Sequence, residues 1–276
     1  MGLSWLVADG LRAALDRLGH DRAVKIARKI RARLDVFETE SEPFASRFGP
    51  LAIGGVGAGV ARDVAALEPE TVRWIDAVLR DDDVLWDVGA NVGLYSVYAA
   101  RRGLSRVYAF EPFAATYLQL SRNLVANQVD SRVAALNLAL SDRAGVAELA
   151  VRAFEPGFTS TLPGHEIARL QRIERIGAQS VLTLRAADFL AVEPAARPTA
   201  VKIDVDGAEA LVLAGLDDAL LAGLRTLLIE IDPEFAARFD AGFAPRLVAA
   251  GLVEIAQTTP NSGRNRIFLR GGGGPV

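Results

Sequence analysis

The chain of 276 residues contains no cysteine, one methionine, two histidines and only three lysines, Lys25, Lys29 and Lys202. Without cysteine there is no disulfide framework, no thiolate metal site and no cysteine nucleophile, a pattern that fits a reducing compartment. Histidine-based chemistry is confined to His20 and His165. Charge is nearly balanced, with a formal net of −3, so there is no basic field to collect nucleic acid. Long apolar runs are missing too. The most apolar stretches, 181–190 and 226–231, fall short of the ~20 residues a bilayer helix requires. Asp9 interrupts the apolar start, which carries no positive flank, so a secretory signal is not expected and the expected location is cytoplasmic.

Apolar residues make up 51% of the chain, enough to bury a large α/β core. Residues 3–37 read as two helices broken near Gly19-His20, the second rich in arginine and lysine. Residues 38–70 read as irregular, with Pro43, Pro50 and Pro69 and the run Gly54-Gly-Val-Gly-Ala-Gly59. That run has no Gly-Lys-Ser/Thr and does not complete Gly-x-Gly-x-x-Gly, so it reads as a turn rather than a phosphate loop. From residue 72, strands at 84–88, 106–110, 133–138, 200–205 and 226–231 alternate with helices near 92–101, 113–127, 207–221 and 243–250. This alternation predicts a mostly parallel sheet with helices on both faces. Extended pieces at 145–152 and 181–184 flank a polar insert at 154–165. Segments 252–259 and 264–270, joined by Asn261-Ser-Gly263, predict a closing antiparallel hairpin. The expected organisation is an N-terminal helical and irregular extension over 1–71, a nucleoside-binding domain over 72–270 and a flexible tail over 271–276.

The strongest motif is Val84-Leu-Trp-Asp-Val-Gly-Ala-Asn-Val-Gly-Leu-Tyr-Ser96, followed by Val107-Tyr-Ala-Phe-Glu-Pro112. Two apolar strands end in polar turns that open helices. A dinucleotide site would place its second glycine where the backbone must touch a pyrophosphate. Here Ala90 and Asn91 stand in those places. The spacing Asp87-x-Gly89-x-x-x-Gly93 suits an amino-acid tail across the turn, with helix N-terminal amides facing its carboxylate and Asp87 facing its ammonium. Glu111 can bind both ribose hydroxyls.

The chain resembles the FkbM-type S-adenosylmethionine-dependent methyltransferases. The resemblance rests on Asp87–Ser96, Phe110-Glu-Pro112, Asn137-Leu-Ala-Leu-Ser-Asp142 with Gly145, Lys202-Ile-Asp-Val-Asp-Gly-Ala-Glu209 and Leu228-Ile-Glu230. It covers about Val84 to Asp232. It implies a class I methyltransferase sheet of seven strands with a terminal antiparallel hairpin, and O-methylation of a sugar, glycan or polyketide-type hydroxyl. Carried over by position, Asp87, Gly89, Ala90, Asn91, Gly93 and Glu111 line the cofactor, with Asn137 and Ala139 near the adenine. Two positions depart from the family pattern: Asp206 stands where glutamate is usual, and Leu184-Arg185 where Leu-Asp is frequent.

Transfer of a methyl group to a hydroxyl calls for a base or a divalent ion. Asp204, at the end of the fourth strand, is read as the group acting on the acceptor, with Glu230 and His165 as further catalytic candidates. Period-two alternation puts Lys202, Asp204 and Asp206 on one side, with Lys202 a candidate ion-pair partner. Asp206 with Glu209 reads as a helix capping box, and Glu209 also as a substrate contact. Asp204 and Glu230, with Glu209 or Asp232, form a candidate Mg²⁺ set. Thr159 and Ser160, in the insert, are candidate substrate contacts. Two rival readings are an NAD(P)-dependent oxidoreductase and a non-catalytic binding module of the same fold. Calorimetry with S-adenosylhomocysteine against NAD⁺ separates the first from the main reading.

Overall fold

The computed structural model describes residues 43–56, 60, 62–154, 156–157, 174–256 and 264–271, together with Arg22, Lys25 and Ile26. The chain divides into two units, 1–42 and 43–276. The segment 43–71, expected in an N-terminal extension, therefore belongs with the main unit. The reason is burial: Phe44, Leu51, Ile53 and Val64 are fully enclosed and join the core cluster containing Leu85, Val97, Val107 and Leu120. The basic helix read around 22–33 and the tail after Gly271 lie outside the described residues, apart from those three positions.

Seven strands form the main sheet: β1 (Val84–Val88), β2 (Arg106–Phe110), β3 (Val133–Leu136), β7 (Ala200–Ile203), β8 (Thr226–Glu230), β9 (Leu252–Glu254) and β10 (Asn265–Arg270). Their order is β3-β2-β1-β7-β8-β10-β9. β3, β2, β1, β7 and β8 run parallel, and β10 pairs antiparallel with both β8 and β9. The central strands are apolar on both faces, which is why they read as runs rather than alternations. A small second sheet joins β4 (Ala139–Leu140), β5 (Gly145–Val151) and β6 (Gly177–Leu184).

Helices cover both faces. α1 (Val64–Leu67) and α2 (Pro69–Arg73) precede β1, and α2 runs on into a π turn over Trp74–Val78. α3 (Leu94–Arg102) and α4 (Ala114–Ala126) follow β1 and β2, and α5 (Ala186–Val192) follows β6. The helix expected over 207–221 is two: α6 (Glu209–Gly215) and α7 (Asp218–Gly223). Leu216 is extended between them, and Asp217 caps α7 by accepting from the Leu220 N–H at 2.7 Å. α8 (Pro233–Arg238) and α9 (Ala244–Ala249) precede the hairpin.

The two faces carry separate apolar clusters. One is centred on Trp74, Val97 and Leu120, the other on Trp86, Phe110 and Phe189, whose rings meet edge to face. Trp74 donates its indole N–H to the Thr226 hydroxyl at 2.9 Å, and that hydroxyl donates to the Phe268 carbonyl. The one polar atom of a fully buried ring is thereby satisfied across three elements.

Candidate active site

The site lies at the carboxyl ends of β1, β2, β7 and β8. There the chain order reverses between β1 and β7, the crevice where open α/β sheets bind ligands. β1 ends in Gly89, whose φ of +84° favours glycine. A side chain there would also collide: a Cβ would come within 1.8 Å of the Asp204 carbonyl oxygen. The turn and the end of β7 thus touch through bare backbone. Asn91, also at positive φ (+52°), carries the turn onward, and Gly93 caps α3 where a Cβ would strike Leu120.

Glu111 closes β2 and reaches over this turn. It is buried, and its two oxygens accept from the Asn91 N–H at 3.0 Å and the Phe113 N–H at 2.8 Å. Burial outweighs those bonds and pushes its pKa up to about 7. Asn137 donates both amide protons to the carbonyls of Glu111 and Pro112, at 2.9 Å each, and so fixes the end of β2. Ala139 lines a narrow apolar recess with Val88, Gly89, Phe110, Leu138 and Leu149.

Asp87 is buried beneath the turn and accepts from the Ser96 hydroxyl at 2.6 Å. Among the described residues its Oδ1 has no hydrogen-bond partner. Burial raises its pKa, against the opposing charge of Lys202.

On the other side of the turn is a cavity of about 280 Å³, bounded by Asn91, Val92, Tyr95, Glu68, Lys202 and Asp204 among others. Lys202 is the cation at its floor. Its Nζ donates to Asp204 Oδ2 at 2.7 Å and sits 5.2 Å from the Tyr95 ring centre. Burial works against that charge, but Asp204, Asp87 and Glu68 outweigh it and hold the ammonium above its ordinary value. The alternation argument therefore holds for Lys202 and Asp204. Asp206 lies in the turn after β7, at φ +50°, and α6 starts later than the capping box predicts, with Ala208 as its N-cap. Glu209 still reaches back, accepting from the Gly207 N–H at 3.0 Å, and it is buried.

The two acids read as catalytic are each engaged. Burial would raise Asp204, yet Lys202 and a hydrogen bond from Glu230 hold it at about 2. Burial and the adjoining Asp204 raise Glu230, and the two carboxyls are joined by a hydrogen bond. Arg264 sits 2.7 Å from Glu230 Oε1. Asp232 caps α8, accepting from the Glu234 N–H. The Mg²⁺ set is accordingly not assembled: Asp204 faces an ammonium, Glu230 a guanidinium, and Asp232 a helix end. Among the described residues no group of three acidic or histidine side chains could hold a metal ion. His165, Thr159 and Ser160 lie outside the described residues.

Sequence reasoning missed Glu68 and Arg264. Glu68 precedes Pro69 and looks like an ordinary helix start. Arg264 looks like the polar end of a hairpin strand. Neither carries a local signal for the site, because both arrive through the tertiary fold. The clasp on residues 52–54 was also unread. Asn123 donates to the carbonyls of Gly54 (3.1 Å) and Val92 (2.7 Å) and accepts from the Gly54 N–H (2.9 Å) and from Gln119. Asn127, one turn on, exchanges two bonds with Ala52 in the same manner. The glycine run is thereby held against α4 at its start.

The sheet order and the glycine turn define a Rossmann-like α/β protein with a crevice at the switch point of its sheet. A model of the methyltransferase FkbM domain matches residues 87–248, and the chain belongs to that methyltransferase family. The hexuronic acid methyltransferase AglP of Haloferax volcanii is 27% identical over 199 residues, covering 72% of this chain and 73% of that protein. Methyltransferase sdnD of Sordaria araneosa is 31% identical over 176 residues, 56% of this chain and 68% of that one. The 31-O-demethyl-FK506 methyltransferase FkbM of Streptomyces tacrolimicus is 30% identical over 179 residues, 55% and 66%. A solved structure of methyltransferase FkbM from Methylobacillus flagellatus KT aligns with a TM-score of 0.44 at 15% identity, over 70% of this chain and 45% of that one.

Proposed function

We propose that the protein is an S-adenosylmethionine-dependent O-methyltransferase acting on a hydroxyl of a sugar, glycan or polyketide-type small molecule. The observation that carries this reading is Glu111, a buried carboxylate pinned by the amide of Asn91 over the Gly89–Gly93 turn. Each of its oxygens keeps a lone pair for a ribose hydroxyl. The residues present fit the rest of the cofactor. The orphaned Asp87 Oδ1 is the acceptor an ammonium or its water would complete. The start of α3 offers amides to a carboxylate. The recess at Phe110, Leu138, Ala139 and Leu149 is apolar, as a purine ring requires.

The cofactor supplies an electrophilic methyl group on a sulfonium. The chain's task is to hold the acceptor oxygen in line with it, exclude water and take up a proton. The 280 Å³ cavity beside the turn provides the space. The hexuronic acid and FK506 methyltransferases among the relatives support a hydroxylated acceptor. An NAD(P)-dependent oxidoreductase is disfavoured by Ala90 and Asn91 at the positions of pyrophosphate approach. Calorimetry with S-adenosylhomocysteine and NAD⁺ tests the reading: micromolar binding of the former alone is expected, and micromolar binding of NAD⁺ alone would overturn it.

A further inference from the structure

We infer that Glu68, which lies outside the family-matched residues 87–248, is the catalytic residue that receives the acceptor's proton. The inference rests on the methyltransferase reading above and assigns a role within that same site.

Elimination gives the first argument. Asp204 has one oxygen on Lys202 and receives a hydrogen bond from Glu230, so its affinity for a further proton is low. Glu230 is held by the Arg264 guanidinium at 2.7 Å and by its hydrogen bond to Asp204. Asp87 lies under the turn, against Ser96. Glu68 is the remaining carboxylate among the described residues lining the larger cavity.

Its placement gives the second. Glu68 stands between α1 and α2 with an extended backbone (φ −135°, ψ 82°), and Pro69 fixes the next residue at the first position of α2. The Thr71 hydroxyl donates to Oε2 at 2.7 Å, and the Tyr95 hydroxyl bonds to the same carboxyl. Two donors orient the group, and a carboxylate offers about four acceptor positions, so room remains for the acceptor O–H. The groups around it are Glu70 and Thr71 from α2, Tyr95 from α3, and Lys202 and Asp204 from the end of β7. Burial raises its proton affinity, with Asp204 adding to the effect and Lys202 opposing it, which moves a carboxyl toward the range useful to a base near neutrality.

The step balances as follows. The acceptor O–H proton passes to a Glu68 oxygen while a lone pair of the acceptor oxygen forms the new bond to the methyl carbon. The C–S bonding pair returns to sulfur, leaving a methyl ether, a neutral thioether and a protonated Glu68 that releases its proton to solvent.

A test that needs no known acceptor compares two ligands on the full-length protein by calorimetry. S-adenosylhomocysteine leaves the methyl position empty, whereas sinefungin places an amine there. An amine facing the Glu68 carboxylate gains a charge-assisted hydrogen bond, so sinefungin should bind about tenfold more tightly. Glu68→Gln should abolish that preference while leaving S-adenosylhomocysteine affinity within about threefold. On the unaltered protein, the preference should fade as falling pH protonates the carboxylate. A preference that persists in Glu68→Gln, or that ignores pH down to the ordinary carboxylate range, overturns the role of Glu68 and leaves the methyltransferase reading standing. Failure of both ligands to bind the unaltered protein overturns the methyltransferase reading and this inference with it.

Discussion

At the scale of single residues, Glu111 is the most exacting. Its carboxyl is raised to about 7 because it is buried. The contribution of the neutral form to stability is therefore full below the ordinary carboxylate range and is lost as pH rises through about 7. A ribose that donates hydrogen bonds binds the ionised form, so ligand affinity runs the opposite way. One-proton linkage predicts that S-adenosylhomocysteine binds roughly eightfold more weakly at about pH 6 than at about pH 7.5. Glu111→Gln should flatten that profile and weaken binding at the upper end, as calorimetry across the pH series would read. Asp204 invites a different expectation. Asp204→Asn leaves the Lys202 ammonium without its nearest counter-charge, and breaking a buried pair costs about 3–5 kcal/mol. Asp204 keeps 24% of its side chain exposed, which puts the expected loss at the low end of that range, measurable by urea unfolding.

At the scale of elements, the turn after β1 depends on the end of β7. Gly89→Ala combines a positive φ with a Cβ driven into the Asp204 carbonyl. It should destabilise by about 3 kcal/mol or more and abolish S-adenosylhomocysteine binding together. If calorimetry finds normal affinity in that variant, the turn is not the cofactor cradle. The clasp on α4 makes a separate expectation. Asn123→Ala strands the Gly54 N–H and the carbonyls of Gly54 and Val92 in a buried place. A loss of about 3 kcal/mol in urea unfolding is expected.

At the scale of the molecule, the boundary near residue 42 can be tested by deletion. Removing residues 1–42 should leave a cooperative thermal transition. Removing residues 1–71 should abolish it, because Phe44, Leu51, Ile53 and Val64 go with it. Buried side chains of that size cost ~2–5 kcal/mol each, against a total stability of ~5–15 kcal/mol.

The parallel strands were legible before any coordinates because strands buried on both faces must be apolar runs, and runs such as Val84–Val88 and Thr226–Glu230 end at polar turns. The glycine turn, Glu111 and the Lys202–Asp204 pair were legible for the same reason: their spacing is local. What was hidden depended on distance along the chain. Glu68 lines the cavity and Arg264 meets Glu230 only once the sheet is assembled, and Asn123 and Asn127 look like ordinary polar positions on a helix. Residues 43–56 have no regular periodicity, so their burial could not be inferred. The split between α6 and α7 did leave a sign in Asp217, a good helix cap, which the apolar continuity through Leu216 concealed.

Asn123 of α4 and Asn127, which caps its end, hold the neighbouring segment by its peptide groups, not by its side chains. Grip of that kind is indifferent to what residues 52–54 are, so long as the backbone can lie flat against the helix. The chemistry of that segment could thus drift from one homologue to another without loosening its anchorage.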